Sequence, residues 1–216
     1  MKHKKLEETK THELYKIALR DKEMFPIIAY GTAGTGKTYS AVGAAVDWLD
    51  KGKNQKVLVT RPNVSFADTL GFLAGSEREK IEPWVRPISQ AFSGFGIHKS
   101  AQNNLERTGR LTYLPLEHVQ GLTFDNTFII LDEVQNMTFS QLKVFLTRIG
   151  SWSKVVLCGD VAQTSAHFKG SGLQELINMV EYMNLDVHVI NFTRDDVLRS
   201  TQCKAWITSF EDWEGL

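Results

Sequence analysis

The sequence predicts an α/β domain with a mostly parallel central sheet flanked by helices. Three observations carry this. Short apolar runs of strand length alternate with longer segments of helical spacing, the pattern of strands joined by crossover helices. Most of the runs hold few polar residues, as expected of strands covered on both faces. A glycine-rich turn, Gly31 to Gly36, follows the first run, where open α/β sheets carry their ligand loops.

Taken in order, residues 7 to 22 read as a short helix with Leu14, Ile17 and Leu19 on its apolar face. Residues 1–24 form an N-terminal helical extension and 25–216 the main domain. Strands are expected at Phe25 to Tyr30, Val57 to Thr60, Leu111 to Leu114, Phe128 to Asp132, Val155 to Gly159 and Val187 to Phe192. Helices are expected at Lys37 to Lys51, about Ser76 to Phe92, Ser140 to Ile149 and Leu173 to Met183, with a last one from about Asp195 to Phe210. The stretch Ser93 to Arg110 lacks apolar periodicity and reads as a surface loop. Within it Phe95 and His98 are candidates for stacking on single-stranded bases.

Composition narrows the class. Hydrophobic residues make up 42% and charged residues 23%, an ordinary globular balance. Twenty-five basic and 25 acidic side chains cancel, which argues against a strongly basic nucleic-acid coat protein but not against one basic stripe. Cys158 and Cys203 have no second ligand at metal spacing, so both read as small core residues of a protein in a reducing cytoplasm. No apolar run reaches membrane-span length, and the basic start at Met1 to Lys5 is followed by Glu7 and Glu8 rather than by a signal-peptide core.

The chemistry begins at Gly31-Thr32-Ala33-Gly34-Thr35-Gly36-Lys37-Thr38. Glycines let this backbone curl so that successive N–H groups point inward at phosphate oxygens, and the helix that follows adds its positive end. Lys37 is expected on the β- and γ-phosphates and the Thr38 hydroxyl on Mg2+. Such a pattern arises by chance in roughly one chain in a hundred of this length, but an apolar strand before it and an alanine-rich helix after it are the required context. ATP, or GTP, is the implied ligand.

Phe128-Ile129-Ile130-Leu131-Asp132-Glu133 delivers two carboxylates to the carboxyl edge of a buried strand. Asp132 is expected to hold magnesium, and Glu133 to act as the base on the attacking water. One helix later, Gly159-Asp160-Val161-Ala162-Gln163 ends the next strand, and the Gln163 amide is a candidate sensor of the γ-phosphate.

These residues resemble the PhoH-like family of P-loop ATPases, related to the core of superfamily 1 helicases. The resemblance runs from about Ile27 to Ser200. It includes the cradle, Leu58-Val59-Thr60-Arg61-Pro62, Leu70-Gly71-Phe72-Leu73-Ala74-Gly75, Lys80 through Pro87, Phe128 through Asn136, Phe145 through Gly150 and Gly159 through Gln163. It implies a single RecA-like domain, cytoplasmic, binding ATP and Mg2+, assembling into a homo-oligomeric ring with a hexamer favoured. It also implies action on single-stranded RNA or DNA. Where the family carries an acid-apolar-apolar-arginine motif, this chain has Asp195 through Ser200, making Arg199 the expected arginine finger, donated from a neighbouring subunit. Three departures stand out. Leu14 through Ala18 replaces a glutamine motif that contacts adenine, Gly121-Leu122-Thr123 replaces Gly-Arg-Thr, and Gln90 stands where an acid is common. Arg61, at a strand end, faces either the site or nucleic acid. Two further classes remain open at this point, a nucleotide-dependent protein switch and a nucleoside kinase.

Overall fold

The computed structural model describes residues 7–62, 77–119, 121–160 and 171–214. Each expected strand forms within a residue or two of its predicted bounds. They are β1 (Ile27–Gly31), β2 (Lys56–Arg61), β3 (Leu111–Pro115), β4 (Thr127–Leu131), β5 (Lys154–Gly159) and β6 (His188–Phe192). The helices are α1 (Lys10–Arg20), α2 (Lys37–Asp50), α3 (Glu77–Gly94), α4 (Lys99–Arg107), α5 (Phe139–Leu146), α6 (Gly172–Met183) and α7 (Thr201–Glu214), with short 3-10 turns at Leu116–Val119, Val134–Asn136 and Arg194–Asp196.

All neighbouring strands pair in parallel, in the order β3-β2-β4-β5-β1-β6. The apolar runs explain this directly: alternate residues of each strand feed two cores, one on each face. Ile27, Ala29, Val57, Val59, Phe128, Ile130, Val156 and Cys158 join α1, α2 and α3 on one face. Ile28, Leu58, Ile129, Leu131, Val155 and Leu157 join α5 and α6 on the other. After β1 the chain crosses over β5 and β4 to reach β2, while β6 pairs on the opposite side of β1. That reversal opens a crevice at the carboxyl ends of β1 and its neighbours, where doubly wound sheets place ligands. No helix among the described residues is long and apolar enough to cross a membrane.

α1 shares this core. Tyr15, Ala18 and Leu19 are buried in it, whereas Leu14 and Ile17, expected on the apolar face, point outward. The inward face is set instead by His12, Tyr15 and Leu19, spaced one helical turn apart. At the far end of α1, the buried Lys154 ammonium donates to the carbonyls of Ala18 (2.8 Å) and Asp21 (2.9 Å). A cation there completes the pairing of carbonyls at the helix end, of which Ala18 O otherwise has only the longer bond from Asp21 N (3.3 Å).

Three expectations are corrected. The supposed loop from Ser93 to Arg110 contains α4, which docks through buried Gln102 rather than through an apolar stripe. The Gln102 amide donates to Ser89 O (2.9 Å) and Ile97 O (2.7 Å) and accepts from the Ser89 hydroxyl (2.7 Å). The last helix starts at Thr201 rather than near Asp195. Residues before it are drawn off the helical path because Asp196 caps Thr193 N and Leu198 N donates to Gly34 O (3.0 Å). Cys203 is exposed on α7, a helix on which no described residue is buried, whereas Cys158 lies in the core as expected.

Candidate active site

β1 ends at Gly31, whose φ of +107° suits glycine alone. A Cβ there would lie 1.9 Å from Phe192 O, so the absence of a side chain lets the turn pass against β6. Thr32 N then donates to that same carbonyl (3.0 Å). Gly34 (φ +76°) and Gly36 (φ +82°) complete the curl, and α2 begins at Lys37. The cradle residues Ala33, Gly34, Thr35, Gly36, Lys37 and Thr38 all line one cavity of about 420 Å3.

The Lys37 ammonium donates to Gly31 O (2.6 Å) and Thr32 O (2.8 Å), and its nitrogen lies 5.9 Å from the centre of the Phe192 ring. Burial lowers its pKa, and the negative charges of Asp160, Asp132 and Glu133 oppose that shift. Thr38 Oγ1 donates to Asp132 Oδ1 (2.7 Å). Burial, then the neighbouring Glu133, raises the Asp132 pKa to about 6, against the Thr38 hydrogen bond and the charge of Arg61. A carboxylate so placed gains from a cation, and the paired hydroxyl offers a second oxygen of the kind hard cations take.

Glu133 adopts a left-handed backbone, φ 57° and ψ 39°. Its carboxylate accepts from Gln135 Nε2 (2.6 Å), and Gln135 Oε1 accepts from Asp160 N (3.0 Å). The buried Gln135 amide thereby ties the end of β4 to the end of β5. Gly159 makes room for it: a Cβ there would meet Val134 at 2.6 Å and Gln135 Oε1 at 3.0 Å. Gln135 is not among the site residues expected from sequence. Its signal was present, because an amide two residues beyond the paired acids can reach back across the 3-10 turn to the carboxylate before it.

Arg61 and Arg199 both line the cavity. Arg199 lies over the cradle of its own chain: a Cβ on Gly34 would be 3.1 Å from Arg199 Cγ. Arg199 was expected on an outer surface, and the Leu198–Gly34 backbone bond instead draws it to the cavity of its own chain. α7 reaches the same loop, since Thr32 Oγ1 donates to Glu211 Oε1 (3.0 Å). On the other side α1 holds the cradle from beneath. His12 Nε2 bonds Thr35 O (3.0 Å), while Nδ1 accepts from Thr9 N (3.1 Å), which fits the tautomer protonated at Nε2. Tyr15 donates to Lys37 O (3.1 Å). Sequence reasoning saw only a missing adenine motif here and did not foresee these contacts. Of the predicted site residues, Gln163 lies outside the described residues. Phe95 packs on Tyr39 (4.7 Å between ring centres) and over Gly43, and His98 stands at the residue before α4 without a capping bond from its side chain.

A parallel sheet with a glycine cradle after one strand and a hydroxyl–carboxylate pair reaching across from another defines a RecA-like P-loop domain. Comparison with known proteins narrows this. The family pattern described as PhoH-like protein matches residues 6–211. A PhoH-like protein of Mycobacterium tuberculosis is 36% identical over 189 residues, covering 87% of this chain and 53% of that protein. One of Bacillus subtilis is 37% identical over 175 residues, covering 80% and 54%. Protein PhoH of Escherichia coli is 32% identical over 199 residues, covering 91% and 55%. The chain belongs to the PhoH-like family, and it spans about half the length of these relatives. In three dimensions it is similar to the large terminase of a thermophilic bacteriophage, with a TM-score of 0.55 at 15% identity, covering 91% of this chain and 48% of that one. At that identity the likeness speaks for the fold.

Proposed function

We propose that the chain binds ATP with magnesium in the cytoplasm and hydrolyses it, coupling hydrolysis to single-stranded RNA or DNA as a homo-oligomer, a hexameric ring by preference. One observation carries the reading. Lys37, the Thr38–Asp132 pair and the Gln135-held Glu133 converge on one cavity, so phosphate charge, a cation and a proton can be handled within reach of each other.

Among the described residues no cluster of three or more His, Cys, Asp or Glu side chains forms a ready metal cage. That fits magnesium, which is commonly held by one or two protein oxygens together with nucleotide phosphates. Thr38 and Asp132 would hold it, and when bound it would neutralise charge developing on the phosphoryl group. Lys37 exchanges the Gly31 and Thr32 carbonyls for phosphate oxygens. Glu133 takes the proton of the attacking water, and Gln135 fixes the direction in which that carboxylate points. Arg199 meets the spreading negative charge from within the same chain, and Gln163 is the proposed sensor of the γ-phosphate.

A second reading, a nucleotide-dependent switch, is favoured by the attachment of the Leu198 backbone and Glu211 to the cradle, which lets nucleotide binding act on α7. Phosphate release measured alone, with single-stranded RNA or DNA, and with nucleosides separates the readings. Stimulation by polymer is the expected result. Unstimulated turnover favours the switch, and a phosphorylated nucleoside would mean a kinase.

A further inference from the structure

We propose that His12 is a positioning residue for the nucleotide's phosphates: by holding the Thr35 carbonyl beneath the cradle, it aims the N–H of Gly36 into the cavity. The assignment rests on the phosphate-binding part of the reading above.

A trans peptide is planar, with its C=O and N–H pointing in opposite directions. The unit joining Thr35 to Gly36 can therefore offer its N–H to the cavity only if its carbonyl turns away. That carbonyl points at α1, where it bonds His12 Nε2 (3.0 Å). A carbonyl can only accept, so Nε2 carries the hydrogen. Gly36 lines the cavity, and its N–H is bonded to no backbone acceptor among the described residues. An open donor at the start of a helix is the kind that phosphate oxygens take.

Little else holds this peptide. Turning it over needs rotation about ψ of Thr35 and φ of Gly36, and glycine accepts φ of either sign. Gly36 stands at φ +82°. A Cβ there would meet only Leu198 Cδ1, at an ordinary 3.5 Å, so packing leaves the turn room. With Thr35 fully buried, water is a poor substitute for the imidazole as the partner of its carbonyl.

His12 is itself held in place. It is buried, and its ring meets Phe192 edge to face with centres 5.4 Å apart. Nδ1 accepts from Thr9 N (3.1 Å), and the Thr9 hydroxyl, 2.8 Å from Nδ1, donates to the buried Asp196. Asp196 precedes Leu198, whose N–H bonds Gly34 O (3.0 Å). One polar chain, from Thr35 O through His12 and Thr9 to Asp196, thus joins α1 to the segment that carries Arg199. Gly36 N–H and Arg199 are set by the same frame.

The test is binding of ATP and of inorganic tripolyphosphate, each with Mg2+, to wild type, His12→Phe, His12→Gln and Thr9→Val, with thermal unfolding followed on every sample. His12→Phe keeps a ring against Phe192 and removes the donor, whereas His12→Gln keeps a donor at much the same reach. His12→Phe is expected to bind both ligands about 10- to 100-fold more weakly, the loss of one hydrogen bond to a charged group. His12→Gln is expected to stay within about threefold of wild type. Thr9→Val loosens His12 without removing it, and a loss of about three- to tenfold for both ligands is expected. Should His12→Phe not fold, that loss carries the same result, and Thr9→Val at wild-type affinity overturns the proposal. A folded His12→Phe protein that binds like wild type, or a His12→Gln protein as impaired as His12→Phe, overturns it too. So does a loss confined to ATP, which would put α1 on the base instead of the phosphates. A wild type that binds neither ligand removes the phosphate-binding reading and the proposal together; a wild type that binds both, with the variants unaffected, removes the proposal alone.

Discussion

Glu133 holds a left-handed backbone that costs a non-glycine residue about 1–2 kcal/mol. Strain of this kind persists where surrounding contacts fix it, and here the Gln135 bond and the turn that follows do so. Removing Gln135 should therefore affect turnover more than binding. Gln135→Ala is expected to lower kcat by about tenfold or more with KM near wild type, because Glu133, the proposed base, loses its orientation while the cradle stays intact. A matched loss in both would assign Gln135 to general packing. Arg199 makes a second prediction. Since it lies on its own Gly34, mixing Glu133→Gln with Arg199→Ala should leave phosphate release at the level of the separate variants. Recovery of activity would place the arginine in a neighbour's site. At this scale the cradle and the paired acids were legible because their residue types and spacing are dictated by phosphate and proton chemistry. Gln135 was legible in the same way, two residues beyond the paired acids, whereas His12 and the inward turn of Arg199 were not, because each depends on contacts that residue spacing does not encode.

Elements with a continuous apolar run were legible almost to the residue, as β4 and β5 show: burial on both faces leaves a strand little choice of composition. α4 was missed because Gln102 substitutes three hydrogen bonds for an apolar stripe, and hydrophobic periodicity cannot register that. α1 was seen as a helix but with the wrong face, since His12 and Tyr15 turn inward to bond the cradle while Leu14 and Ile17 stay in water. Its anchor is Lys154, whose burial lowers its pKa and whose ammonium is the cap of α1. Lys154→Met should take the ammonium from the Asp21 carbonyl and leave the Ala18 carbonyl only the longer bond from Asp21 N (3.3 Å), at a cost of about 1–3 kcal/mol. It should also weaken nucleotide binding, because α1 supports the Thr35 and Lys37 carbonyls. Calorimetric unfolding and nucleotide titration check both effects; a lower melting temperature with unchanged nucleotide affinity would separate α1 from the site.

At the scale of the whole molecule, one sheet edge gathers the cradle from β1, the carboxylates from β4 and the amide-tethered end of β5, while α1 and the segment before α7 close over the loop. The fold class was legible because alternation of buried runs with helical segments admits few other arrangements. The position of α7 was not, since its path is set by the cradle it touches rather than by its own pattern. The proposed chemistry divides the labour within this site, with Lys37 neutralising phosphate charge and Glu133 handling a proton. ATP titration and phosphate release on Lys37→Ala and Glu133→Gln test it most directly. Lys37→Ala is expected to weaken ATP binding by about 10- to 100-fold, the loss of a charge-assisted hydrogen bond or two. Glu133→Gln is expected to bind ATP like wild type while turnover falls by about two to four orders of magnitude. A Glu133→Gln protein that hydrolyses ATP near the wild-type rate, or a Lys37→Ala protein that binds it unchanged, would contradict the account.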